Sequence, residues 1–433
     1  MKKIATSAGL MALGAATLYG QYDPERSWEN SGKPWTVAAT VRGFYDDNPT
    51  TTPEGNRPGP NGSYGIELSP SAFVNLPLDQ TFIRAGYIYS ARWYEDRDPS
   101  TDQTHEFVAA LRHAFSPRHE IRVADSFVIA NEPRVVDDVG IITAPTRTEN
   151  DILRNRGTID YDLMLTQVLG LGLGYGNTWY DYEQDGAGSR SALLDRMEHL
   201  FRADLRFQVN PSLVALVGYQ LGINTYTGDE FIYTQGQRDI IEGELGLPAS
   251  IFNQMSEVRD SYSHYVYAGA DHDFNPGLRG SVRVGYQYTD YHEADDSASN
   301  PFVDAALTWA FRPTSSLQVG VRHMRNATDI VTFDGRGRAT LDQESTAAYA
   351  KVSHRIVRDL TGSLLGQVQN STFEGGSVDG DNETIYLVGV NLEYRLNRHV
   401  AFETGYNFDR LSSDITNRSY NRNRVYVGVR ASY

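Results

Sequence analysis

Residues 423–433 read NRVYVGVRASY. Taken in twos, Val425, Val427, Val429, Ala431 and Tyr433 share one side, with Arg424, Tyr426, Gly428, Arg430 and Ser432 on the other. Side chains alternate across a strand but recur every 3.6 residues on a helix, so this segment is a strand with one apolar face. The same period recurs upstream. FIRAGYIYSARWY sets Ile83, Ala85, Tyr87, Tyr89, Ala91 and Trp93 against Arg84, Gly86, Ser90 and Arg92. HLFRADLRFQV sets Phe201, Ala203, Leu205, Phe207 and Val209 against Arg202, Asp204, Arg206 and Gln208. SVRVGYQYTDY sets Val282, Val284, Tyr286 and Tyr288 against Arg283, Gly285, Gln287 and Thr289. Three residues break the pattern: Ile88 and Leu387 fall in polar sets, and Asp125 falls in an apolar one.

Composition narrows the class. The chain has 433 residues, of which 40% are apolar, and no run of about 20 apolar residues follows the N-terminus, which excludes a helical membrane protein. The 27 tyrosines suit strands and membrane–water boundaries, and the 39 glycines suit turns and curved sheets. A net charge of −16 argues against nucleic acid as a partner. Without cysteine there is no thiol catalysis, disulfide or thiolate metal site. Residues 1–20, MKKIATSAGLMALGAATLYG, have two lysines, an apolar stretch and a small residue before a polar sequence, which is the layout of a secretory signal peptide. Residues 21–34 form a short lead, and 35–433 form one domain.

The connections between strands alternate in kind. Short ones recur as AFSPRH, QVNPSL, DFNPGL and FRPTSS, where proline suits a tight turn. Long ones, such as YDDNPTTTPEGNRPGPNG, are polar and acidic. The pattern predicts 18 strands, within a range of 16–20, joined by nine long loops and eight short turns. Strands are expected over 119–130, 278–291 and 382–395, and over 104–115, 302–311 and 344–356. Strands of about 10 residues with short turns on one side and long loops on the other make a transmembrane antiparallel up-and-down β-barrel. Closure is what lets a sheet cross lipid, since an open edge leaves backbone groups unpaired. A secreted sandwich or solenoid also alternates, but its loop lengths need not.

With the strands placed, the chain resembles the outer-membrane β-barrel porins of the type 2 group. The likeness lies in GFYDDNP (Gly43 to Pro49), in GY-x-Y segments at Gly86–Tyr89 and Gly285–Tyr288, and in the aromatic–proline turns. It implies an outer-membrane barrel and a pore, and supplies no catalytic residues. The ending VYVGVRASY is similar to the terminal-strand signal read by barrel-assembly machinery, with Tyr433 where phenylalanine is usual. Trimers are common among similar porins, so a homotrimer is one candidate, and the sequence itself leaves the oligomeric state open.

The two faces carry different chemistry. The outward face belongs in outer-membrane lipid, with Trp93, Trp179, Tyr182, Phe115, Phe274, Phe311 and Tyr433 as an aromatic girdle at its rims. Tyr94, Tyr180, Tyr226 and Tyr291 are expected there too; a sugar slide is the alternative reading. Pore-lining candidates are Arg84, Arg92, Arg112, Arg122, Arg202, Asp204, Arg206, Arg283, Arg322, Glu393, Glu403, Arg424 and Arg430, with Glu67 and Asp409 as further acids. Opposed charges in a water-filled interior order water and filter solutes; about half of these arginines are expected instead to brace the wall. The 227–260 loop is unusually apolar and is expected to fold inward with Asp239, Glu242 and Glu244 facing solute, unless it forms a lid or a subunit contact.

The histidines show no metal spacing, and GxSxG, HExxH and phosphate-loop motifs are missing, so no enzyme, cofactor or metal is expected. The function expected is passive diffusion of small hydrophilic solutes. A plugged barrel acting through its loops as an adhesin or assembly scaffold is the alternative, and an outer-membrane hydrolase a lesser one.

Overall fold

A strand must pair its backbone N–H and C=O groups on both edges. Here each of eighteen strands does so with its neighbours around a closed sheet, in a computed structural model. The structure describes residues 34–53, 62–131, 151–236, 256–334 and 336–433, with 135–136, 142–144, 239 and 243. The expected signal peptide, residues 1–20, and nearly all of the 21–34 lead lie outside them. The strands are β1 (Trp35–Asp46), β2 (Ser63–Pro77), β3 (Thr81–Tyr94), β4 (Thr101–Ser116) and β5 (His119–Ala130). A small separate ladder pairs β6 (Val135–Val136) with β7 (Ile142–Ala144). The barrel resumes with β8 (Ile152–Met164), β9 (Leu169–Tyr182), β10 (Arg196–Asn210), β11 (Leu213–Tyr226), β12 (Ser261–Asn275) and β13 (Leu278–Tyr291). It ends with β14 (Asp296–Arg312), β15 (Ser315–Asn326), β16 (Thr340–Val357), β17 (Leu360–Gly375), β18 (Asn382–Arg395), β19 (Val400–Ser413) and β20 (Tyr420–Ser432). A short helix, α1 (Arg190–Leu194), sits in the loop before β10.

All barrel pairings are antiparallel, and β1 closes against β20 from Ala38↔Ser432 to Asp46↔Arg424. Alternation separates the faces as expected of a closed sheet: Val427 is 65% exposed, whereas Arg430, three residues on, is 8% exposed. Val425, Val429 and Tyr433 are exposed with Val427. The outward face is a belt of exposed valines, leucines and aromatics, too large and apolar for water.

The turn chemistry is local. In QVNPSL the Asn210 side chain accepts from the Ser212 N–H at 2.9 Å, and in DFNPGL Asn275 does the same for Gly277 at 2.9 Å. Each satisfies a turn donor from within the turn. Ladder irregularities fall beside these turns, at Gln208/Asn210 and Asp273/Asn275.

Three strands exceed their expected bounds the most. β4 starts at Thr101, β16 at Thr340, and β14 at Asp296, leaving only residues 292–295 as the loop after β13. Polar sequences such as SASN extend the sheet beyond the apolar belt, where neither face is apolar and alternation carries no signal.

Candidate functional site

The candidate site is the inward face, where the curvature of the wall crowds polar side chains together. The expected pore-lining residues all lie on inward-facing positions of their strands, opposite in parity to the exposed apolar belt. The structure gathers most of them into two ion-pair systems.

The first spans β4 to β15. Arg122 binds Glu120 and Asp162, and Arg112 reaches Glu120 at 2.8 Å. From β10, Arg206 crosses to Asp162 at 2.6 Å and Arg202 crosses to Asp160, both on β8. The strand between, β9, turns Gly170, Gly172, Gly174 and Gly176 inward. A Cβ on Gly172 would stand 2.7 Å from an Arg206 nitrogen, and one on Gly174 would stand 3.1 Å from Arg202. The run LGLGLGYG therefore leaves bare backbone over which two guanidiniums lie to reach acids two strands away. Asp204, 1% exposed, receives the Tyr267 hydroxyl and lies 3.5 Å from Arg206. Arg283 grips Asp271 with two bonds, at 2.8 and 3.0 Å, and Arg322 meets Asp304 at 2.7 Å.

The second system lies where the barrel closes. Arg42 of β1 bridges Glu67 of β2, at 2.7 Å, and Glu403 of β19. Arg92 also binds Glu67, at 2.8 Å. Arg430 lies 3.5 Å from Glu393, and Arg424 meets Asp46 at 2.6 Å. Arg422 pairs with Asp409. Gly428 opens the room for Arg42, since a Cβ there would stand 2.7 Å from the arginine's Cγ. Arg84 stacks over Phe73 at 4.6 Å. Charges taken from water are tolerable when paired and hydrogen-bonded in this way.

Reading by residue missed most of the acidic partners. Asp46, Glu120, Asp160, Asp162, Asp271 and Asp304 all receive arginines. Their alternation held the signal: in IDYDLM, Asp160 and Asp162 oppose Ile159, Tyr161 and Leu163.

The girdle needs a correction. Trp93, Phe115, Phe274 and Tyr433 are exposed, and Trp179 and Phe311 share their outward parity. Tyr182, however, is 3% exposed and packs inward with Ala130, Ile152, Tyr180 and Leu194. Tyr94, Tyr226 and Tyr291 are buried inward as well. One residue along a strand reverses the face, and these tyrosines stand one step from the outward set. Three carry a stacked arginine: Arg97 over Tyr94 at 3.8 Å, Arg196 over Tyr180 at 4.1 Å and Arg259 over Tyr226 at 4.0 Å.

At the long-loop end the described loops interlock. Arg259, fully buried, donates to the carbonyl of Leu193 in α1 and, at 3.4 Å, to that of Thr328. Burial in turn lowers its pKa. Tyr233 packs against Phe333, ring centroids 4.7 Å apart and tilted, and Arg418 joins Asp329 at 2.8 Å while also binding Glu383. Asp239, expected to face solute, is exposed and accepts from Gln235 at 2.7 Å; Glu242 and Glu244 lie outside the described residues. Asp195, at the end of α1, accepts from the Tyr182 N–H at 2.8 Å and from the Ser191 hydroxyl. Burial pushes its carboxyl up to about 6, against those two donors, which lower it. Among the described residues, no group of three or more His, Asp or Glu side chains could hold a metal ion.

Residues 249–433, which hold β12–β20, match the sequence model of the family described as "Putative beta-barrel porin 2", in agreement with the resemblance read from the sequence. No curated protein matches the chain. Among solved structures it is similar to OccAB3 of Acinetobacter baumannii, at 10% identity over 92% of this chain and 99% of that one, with a TM-score of 0.44. The siderophore receptor PirA from Acinetobacter baumannii is similar at 9% identity, over 92% and 80%, with a TM-score of 0.46. The FrpB iron transporter from Neisseria meningitidis is similar at 9%, over 93% and 82%, with a TM-score of 0.46.

Proposed function

We propose that this chain is a porin-like channel of a bacterial outer membrane that passes small hydrophilic solutes through a charged lumen by passive diffusion. The observation that carries the reading is the inward face: a closed wall of eighteen strands lined with arginine–carboxylate pairs. A barrel of roughly 16–18 strands is wider than side chains can fill, which leaves an aqueous path. Paired charges of both signs suit polar solutes and water, and they have no use in an apolar core. The match of residues 249–433 to a porin family supports the same reading. Purified protein in a planar bilayer should give stable conductance steps, with a reversal potential in a salt gradient that reports ion preference. Failure to conduct would reject the channel.

The interlocked loops favour a second reading, in which a closed mouth presents a rigid surface to a partner. Arg259 joining α1, the 256–259 turn and Thr328 is the specific observation behind it. The same bilayer recording separates the two, because a plugged scaffold conducts nothing.

A further inference from the structure

Among the described residues, the outward belt carries one carboxylate at mid-height. On β4, Phe107 and Phe115 are exposed, and Ala109 shares their face midway between His105 and His113. Asp125 of β5 is in register with Ala109 on one side and with Gly157 of β8 on the other, so it stands on the lipid side at mid-height. Other charged residues on this face, Asp181, Asp290, Glu344, Glu374 and Arg410, lie toward the long-loop ends of their strands, Glu344 against His323. Asn155, one outward step along β8, donates to both Asp125 oxygens through a single nitrogen, at 3.2 and 3.1 Å. The surface around the pair is low. Ala85, Ala109 and Gly157 bring small residues into one row across β3, β4, β5 and β8, and a Cβ on Gly157 would stand 3.4 Å from the carboxylate.

A carboxylate at this height is costly against hydrocarbon, and one amide nitrogen with two long bonds leaves much of its acceptor capacity unused. The neighbouring amide supplies donors beside it, so the face is complementary to itself. Across a two-fold axis, Asn155 of each copy reaches Asp125 of the other, and the low row lets the two walls approach. We propose that the outward face centred on β4, β5 and β8 is an interface between two copies of this chain, with Asp125 and Asn155 as its polar centre.

The chain has no cysteine, so a single introduced thiol reports the contact cleanly. Ala109→Cys in native outer membranes, treated with a short thiol cross-linker, should give a covalent species of twice the monomer mass. Ala350→Cys, outward on β16 across the barrel, should not. Adding Asp125→Leu to Ala109→Cys should cut the cross-linked fraction at least ten-fold while the barrel stays heat-modifiable. Asn155→Leu should do the same, and serves if the first variant fails to assemble. Cross-linking at Ala109 no stronger than at Ala350 would overturn the proposal. So would an adduct of any other mass, or a yield unchanged by both leucine variants.

Discussion

Two glycines, Gly172 and Gly174, decide where two arginines can go. Gly170, Gly172, Gly174 and Gly176 strip the inward face of β9, and Arg202 and Arg206 lie across it to Asp160 and Asp162. Gly174→Val would drive a branched side chain into the Arg202 guanidinium and its partner Asp160, parting the pair. Overpacking of this kind costs about 1–3 kcal/mol, and denaturant unfolding in vesicles should show the midpoint falling by that amount at unchanged slope. Gly176→Ala is the control, since nothing stands within 4 Å of a Cβ there, and it should be nearly neutral. That Arg202 points inward is legible from its place opposite Phe201 and Ala203. Its partner is not, because Asp160 becomes its neighbour only through the register of three strands. Asp195 makes a second residue-scale test. Its folded-state pKa of about 6 lies above the usual aspartate value, so the folded loop binds the extra proton. The stability it lends is whole below about pH 4 and is lost as pH rises through 6. Amide exchange over residues 184–195, corrected for intrinsic rate, should therefore be more protected at pH 5 than at pH 7.5. Asp195→Asn should abolish the difference.

Elements close the barrel by pairing, and β20 is the one that must pair both with its sequence neighbour and with the start of the chain. It runs along β19 from Leu411↔Tyr420 to Val400↔Ala431 and along β1 through nine residue pairs. Removing residues 420–433 would bare the edges of β1 and β19 together, leaving rows of N–H and C=O groups with no partner in lipid. The truncated chain should fail to reach the membrane as a heat-modifiable band; a shortened barrel that still shifts on heating would refute the closure argument. Element boundaries were legible where both faces speak. β5, β13 and β18 have the expected bounds, 119–130, 278–291 and 382–395, because turn or loop residues stand directly outside their ends and single breaks such as Asp125 and Leu387 leave the period of two intact. β14 reaches back to Asp296 because Ser297, Ser299 and Asn300 pair with β13 by backbone alone. Tyr182 fails differently: its aromatic ring suits a rim, and only the parity of the strand places it inside.

At the scale of the whole molecule the question is what stands over the mouth of the wall. The described loops meet there through Arg259, which holds α1 by the Leu193 carbonyl, stacks on Tyr226 at the end of β11 and reaches Thr328 beyond β15. No carboxylate binds it among these contacts, so its grip rests on carbonyls and a ring in a buried place. None of these contacts belongs to the strand ladder, which is complete without them. Arg259→Ala should therefore leave closure and heat-modifiability intact while freeing three loops from one another. Limited proteolysis should show new cuts within 183–195 or 327–339, and the wild-type chain should resist there under the same protease. If the barrel conducts, the open level should become noisier and its mean conductance should rise, because loops that were pinned now exchange positions on the recording timescale. A variant with loosened loops and an unchanged current would place the conducting path away from this cluster. One that also lost heat-modifiability would show that Arg259 supports the wall itself.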